Sequence, residues 1–380
     1  MNERTPAEVF PPGEFIREEI EARGWSQIDL AEILGRPPRL ISELIAGKRA
    51  VTPETAKGLG AAFGTGAQFW MNLESAYQLS RVRTDDHDIV ARRAKIYEKA
   101  PVKEMIRRNW IEPTESAEVL EKRVCDFFGI QTIDEPFSMV AHAARMSLSK
   151  AALTSEQHAW LCRVRQVARC VRVSSYSRSK IDDLLPRLRA LVVDPAEARH
   201  VPNLLAEAGI RFLIVEALAQ TKIDGACLWL DRHSPVVALT TRFDRVDSFW
   251  FTLMHELAHV KNSDGMESAL IDVDLIDGDH ERSLQKSPVE RQADEFAAEF
   301  LVPKSDLDDF VARVKPLYSK QRIRAFAARI HVHPGVVVGQ LQYRRCISYS
   351  HSREMLAKVR GVITEATLTD GWGCSLPTMN

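Results

Sequence analysis

The feature that most constrains this 380-residue chain is His255-Glu256-Leu257-Ala258-His259. On a helix, two histidines four residues apart project from one face and can hold a single Zn²⁺ ion. Glu256 lies about 100° around the helix from His255. That places it near a metal rather than on it, where it can take a proton from water and pass it to a leaving amine. The preceding run, Phe249-Trp250-Phe251-Thr252-Leu253-Met254, is apolar, so the helix must be buried. The alternative is a surface helix that carries histidines at this spacing by chance.

A catalytic zinc needs a third protein ligand and one open position. Downstream, Ala293, Phe296, Ala297, Phe300 and Leu301 form the apolar stripe of a second helix over residues 288–301, and Glu290 falls three residues before Ala293 on the same inward face. A carboxylate there needs a partner, and a metal would serve; otherwise Glu290 is a helix-start carboxylate favoured by the macrodipole. Asp294 is placed either to accept a ligand histidine's N–H or to sit in solvent.

The N-terminal residues read differently. Between about 13 and 80, short amphipathic runs are punctuated by Gly24, Gly35 and Gly47, with Ser26 and Thr52 as helix caps and Pro38 and Pro53 opening helices. Short helix, glycine-containing turn, short helix is the helix-turn-helix pattern. The second helix, roughly 38–46, would read the major groove with Arg39, Ser42 and Glu43. Gln27 could reach phosphate or a base edge, and Lys48 and Arg49 suit phosphates. From Arg36 to Lys57, five basic residues oppose two acidic ones, a local charge of +3. The alternative is a small helical domain with surface basic residues.

The whole-chain charge of −1 hides this segregation. Residues 145–180 carry eight basic and one acidic residue, and residues 262–281 carry seven acidic residues and no Lys or Arg. These are either a partner-binding segment and an active-site edge, or two solvated faces. Residues 263–287 read as a polar loop, and the tail after 350 has no clear pattern. Short β-like runs lie at 209–215, 226–230 and 235–239. Six cysteines form no CxxC, which fits reduced thiols in a cytoplasmic protein. No stretch of about 18 apolar residues suggests a membrane span.

The expected fold class is α+β, mostly α. An all-α helix-turn-helix domain spans 1–83, a helical linking region 84–194, a zincin-like domain with a small β-sheet 195–310, a helical pair 311–350 and a tail 351–380.

Two resemblances sharpen this. Pro12-Gly13-Glu14, Ser26-Gln27-Ile28-Asp29-Leu30-Ala31, Ile41-Ser42-Glu43-Leu44-Ile45-Ala46-Gly47-Lys48-Arg49, Thr52-Pro53-Glu54-Thr55-Ala56 and Phe69-Trp70-Met71-Asn72-Leu73 resemble the Cro/C1-type helix-turn-helix of HigA/VapI-like antitoxins. That resemblance implies binding of a double-stranded DNA operator as a homodimer. Residues 195–305 resemble the ImmA/IrrE metallopeptidases through the HExxH run and Glu290-Arg291-Gln292-Ala293-Asp294-Glu295-Phe296-Ala297, followed by Phe300-Leu301-Val302-Pro303. Residues 327–342 resemble that family's C-terminal helical pair. The family resemblance implies zinc ligands at His255, His259 and Glu290, a general base at Glu256, and cleavage of a DNA-binding repressor or antitoxin. The competing expectation is a non-enzymatic repressor or antitoxin whose metal domain serves structure or partner binding. A Glu256→Gln variant discriminates the two.

Overall fold

The computed structural model describes residues 9–81, 84–136, 144–146, 153–266, 269–275 and 286–371. It divides into two compact units, Met1–Ala91 and Arg92–Asn380. In the first, α1 (Pro12–Arg23), α2 (Gln27–Leu34), α3 (Pro38–Ile45), α4 (Pro53–Phe63) and α5 (Ala67–Arg81) surround a core of Ile16, Leu30, Ile41, Leu44, Leu59 and Trp70. The local signals act as read. Ser26 caps α2 in a reciprocal box with Asp29, Thr52 caps α4, and Gly24 and Gly35 end their helices in the left-handed conformation. Helix α6 (Thr84–Lys99) contains the division between the units.

The second unit is built on a five-stranded mixed sheet: β1 (Ala144–Met146), β2 (Arg211–Ile214), β3 (Ile223–Trp229), β4 (Pro235–Leu239) and β5 (Ala269–Val273), in the order β1-β5-β3-β4-β2. Alternation of side chains divides its strands between two cores. Phe212, Ile214, Cys227, Trp229, Val237 and Leu239 face one core. Leu213, Ala226, Leu228, Val236, Ala238 and Ile271 face the other. On the first face lies a long helix, Val246–Asn262, with the helices Pro288–Leu301, Lys304–Val314, Lys320–Arg329 and Pro334–Tyr343. On the second face lie the helices Ala117–Phe128 and Ser155–Ala168, from the stretch expected as a linking region; Trp160 is fully buried there and donates to the Val215 carbonyl at 2.9 Å. Both faces are therefore covered, which explains why β3 and β4 are buried throughout and read as apolar runs rather than clean alternations.

Two expectations need correction. The polar stretch 263–287 is not all loop, because β5 forms within it and pairs antiparallel with β3. Backbone pairing on both sides of β5 and burial of Ala269 and Ile271 outweigh the local charge. Residues 267–268 and 276–285 of this stretch lie outside the described residues, as does Lys150 of the basic segment. The described part of the tail, residues 351–371, also joins the fold. Helix Arg360–Ala366 buries Ile363, the Leu368 carbonyl accepts from Ile214 N–H, and buried Asp370 accepts from Trp110 Nε1 at 3.2 Å. Among the described residues, no helix is long and apolar enough to cross a membrane.

Candidate metal centre and reading helix

Helix Val246–Asn262 is buried over most of its length and presents His255 and His259 on one face, both fully buried. Helix Pro288–Leu301 packs against it, capped by Ser287, with Glu290 in its first turn. Glu290 therefore keeps its place near a helix N-terminus but turns its carboxylate to the histidines. Its Oε2 stands 3.2 Å from His255 Nε2 and 3.6 Å from His259 Nε2, and the two Nε2 atoms are 3.1 Å apart. The opposite ring nitrogens are also flanked. His255 Nδ1 stands 3.0 Å from Asp294 Oδ1, and His259 Nδ1 meets Asp264 Oδ2 at 3.2 Å. Lys286 Nζ donates to Asp294 at 2.6 Å. The hydrogen bond to Asp264 fixes the His259 tautomer that leaves Nε2 free to ligate, while Asp294 stands beside His255 Nδ1 outside normal hydrogen-bond geometry.

A fourth carboxylate joins the cluster. Asp272, on β5, is fully buried, and its Oδ2 lies 3.2 Å from His255 Nε2. Ligand atoms of His255, His259, Asp272 and Glu290 all lie within 4.8 Å of one another, a set able to hold a metal ion. Asp272 pairs across the sheet with Gly225 of β3. A Cβ at Gly225 would stand 2.3 Å from Glu256 Oε1 and 2.9 Å from Thr252 Cγ2, so only glycine leaves room for the Glu256 carboxyl there.

The electrostatics are those of a site short of positive charge. Burial, then the Asp272 charge, pushes the Glu256 carboxyl well up. Burial works to lower both imidazoles but is outweighed. Asp272, Asp294 and Glu290 raise His255, and Asp264 and Glu290 raise His259 to about 9. Burial would also raise Asp272, yet the two histidines hold it low. Neither oxygen of Glu256 or Asp272 has a hydrogen-bond partner of normal geometry among the described residues. Buried carboxylates at this density need protons or a cation, and two imidazoles with carboxylates are a fitting donor set for zinc. Sequence reasoning brings together His255, His259, Glu290, Glu256 and Asp294; it passes over Asp264, Asp272 and Lys286.

In the first unit, α2 and α3 are joined by a three-residue turn, and α3 buries Ile41, Leu44 and Ile45. That leaves Arg39 and Ser42 exposed on its outer side, with Gln27, Lys48 and Arg49 exposed nearby. Glu43 is half-buried and accepts from Arg39 Nε at 2.8 Å and Arg49 Nη1 at 3.5 Å. Its acidic side chain therefore orients two cations.

Comparison with known proteins matches both units. Residues 16–70 fit the family model described as a helix-turn-helix, and residues 207–344 fit the peptidase-family model described as an IrrE N-terminal-like domain. Virulence-associated protein I of Dichelobacter nodosus is 38% identical over 79 residues, which is 20% of this chain and 73% of that protein. The chain joins a HigA/VapI-like helix-turn-helix domain to an IrrE N-terminal-like domain. The helix-turn-helix domain is also similar to two solved structures. An addiction module antidote protein of a HigA family from Coxiella burnetii is 34% identical (TM-score 0.19), covering 19% of this chain and 79% of that one. The Pseudomonas aeruginosa antitoxin HigA, solved with the higBA promoter, is 30% identical (TM-score 0.21), covering 22% of this chain and 91% of that one. The IrrE-like match takes in β2, β3, β4 and β5 and every residue of the metal cluster.

Proposed function

We propose that the chain is a DNA-binding regulator whose second unit is a zinc-dependent endopeptidase, which cleaves a repressor or antitoxin and so controls transcription. The observation that carries this reading is the convergence of His255 Nε2, His259 Nε2 and Glu290 Oε2 at 3.1–3.6 Å, with Glu256 buried beside them. Zinc held by these three residues would supply Lewis acidity toward the scissile carbonyl. Glu256, which burial makes a stronger base than an exposed carboxylate, takes the proton of the attacking water and gives it to the leaving amine. Asp264 holds the His259 ring by a hydrogen bond, and Asp294 flanks the Nδ1 side of the His255 ring at 3.0 Å, which favours turning both Nε2 atoms toward the metal position. Beside His255, a cleft whose apolar lining is Phe251, Leu275, Leu301, Val336 and Tyr343, with Arg245, Asp247 and Gln340 also on its wall, suits a mainly apolar side chain of the substrate.

The first unit supplies the address. Helix α3 enters the major groove of an operator with Arg39 and Ser42, while Gln27, Lys48 and Arg49 contact the backbone. The test is to incubate zinc-loaded protein with repressors encoded beside it and to map cleavage by mass spectrometry. Wild type should cut at one site and Glu256→Gln should not. Equal cleavage by both, or an unchanged regulatory output in cells carrying Glu256→Gln, would sink the protease.

A further inference from the structure

A zinc protease must leave one metal position open to water and substrate. Four donor atoms around one zinc, at 2.0–2.2 Å each, stand about 3.3–3.6 Å apart when the arrangement is tetrahedral. The three ligands of the proposed site stand near this spacing, and a fourth group lies beside them: Asp272 Oδ2 is 3.2 Å from His255 Nε2 and within 4.8 Å of the other donors. We infer that Asp272 is a fourth protein ligand, which fills the position a reacting water needs and keeps the site closed at rest. The inference rests on the zinc reading above and adds to it a self-held inhibitory ligand.

Several independent features point the same way. Asp272 is fully buried, and neither of its carboxylate oxygens has a hydrogen-bond partner of normal geometry among the described residues. A buried carboxylate without a donor needs a cation. Its place is fixed by the sheet. The neighbouring Ile271 is buried in the core on the opposite face, and β5 is paired on both sides, so Asp272 cannot reach solvent without unpairing the strand. Finally, Asp272 contacts both His255 and Glu256. A water activated by Glu256 has to lie between that carboxyl and the metal position, where the Asp272 carboxylate, 3.2 Å from His255 Nε2, would compete with it. Gly225 opposite gives the Glu256 carboxyl room beside Asp272 without displacing it.

Substrate would then have to displace Asp272 before hydrolysis, and removing the side chain would open the site. The experiment compares the full chain with Asp272→Ala and the near-isosteric Asp272→Asn, with folding checked by circular dichroism. Zinc affinity is measured by competition with a chromophoric chelator. The cobalt(II)-loaded proteins are titrated with acetohydroxamate while the visible d–d absorption is followed. Expected is zinc binding at least about tenfold weaker in both variants. Acetohydroxamate should change the cobalt spectrum of the variants at concentrations that leave wild type unaltered. Unchanged zinc affinity in both variants, or acetohydroxamate binding as tightly to wild type as to the variants, would overturn the inference while leaving the zinc site standing. Failure of the underlying reading looks different, because wild type itself would then take up less than about one zinc per chain, and both ideas would fall.

Discussion

Gly13 gives the sharpest test of how the reading helix is held. It is the second residue of α1, and a Cβ there would stand 2.5 Å from the carbonyl oxygens of both Leu44 and Ile45 at the end of α3. These are backbone atoms, which cannot rotate aside. An ordinary carbon–oxygen contact is about 3.3 Å or more, so Gly13→Ala must push α1 and α3 apart by most of an ångström. Forcing a methyl into a packed interface costs about 1–3 kcal/mol. From the middle of that range, about 2 kcal/mol, alanine recovers up to about 1 kcal/mol of helix propensity, leaving a net loss of about 1–2 kcal/mol. For a domain of this size each kcal/mol moves the melting temperature by about 4–8 °C, so the first unit should melt about 4–16 °C lower. Gly58→Ala is the control. It lies inside α4, where the new Cβ meets only the Leu34 side chain at 3.0 Å, a group that can yield. There the propensity gain should hold stability level or raise it. Thermal scanning would read both variants, and hydrogen exchange of the amides of residues 39–46 would locate the effect, with Gly13→Ala expected to expose α3 selectively. If Gly13→Ala melts with wild type and its α3 exchanges normally, the close crossing does not position the reading helix.

The second unit yields three further predictions. Zinc at a thousandfold excess over its dissociation constant adds about 4 kcal/mol to whichever unit binds it, so a chelator should lower the melting of the second unit and leave the first unmoved; equal shifts in both would refute a metal confined to the histidine cluster. Asp294→Ala should weaken zinc binding about 10–100-fold without unfolding either unit, because it frees His255 Nδ1 and strands Lys286; affinity within twofold of wild type would mean that Asp294 does not orient the ligand. In a Cys374→Ser background, native protein should react with a thiol reagent mainly at exposed Cys170, while Cys125 and Cys227 are buried and burial pushes the Cys162 thiol up to about 12; peptide mapping that finds Cys162 labelled as fast as Cys170 would contradict this packing.

What was legible in the sequence is what is encoded over one or two helical turns. The Ser26–Asp29 box, the left-handed Gly24 and Gly35 and the Thr52 cap are local, so the first unit reads correctly element by element. His255, Glu256 and His259 lie on one helix, and Glu290 betrays itself by sharing a face with Ala293 and Ala297. The tail after 350 had no such signal, since Asp370 is tied to Arg108 and Trp110, more than 250 residues away in the chain.

Asp272 shows why the remainder of the site was harder to see. It sits in a run dense with acids, and charge weighs toward a loop. Yet Ala269, Ile271, Val273 and Leu275 alternate with Leu270, Asp272 and Asp274, which is the period of a strand. The signal was present but hidden, because the face turned toward His255 carries the Asp272 carboxylate where an ordinary buried strand would carry an apolar group. Pairing and the burial of Ala269 and Ile271 hold the strand, but the carboxylate on its other face has to be offset by something other than hydrophobic burial. Two imidazoles and a shared cation can do so only if β5, β3 and the two site helices are already assembled. The departure from strand pattern at Asp272 and the convergence at 3.2 Å from His255 Nε2 are thus two views of one requirement. The same requirement predicts that Asp272→Leu, which restores the apolar pattern, keeps the sheet while weakening metal binding. A variant that lost the sheet instead would show that Asp272 serves the fold rather than the metal.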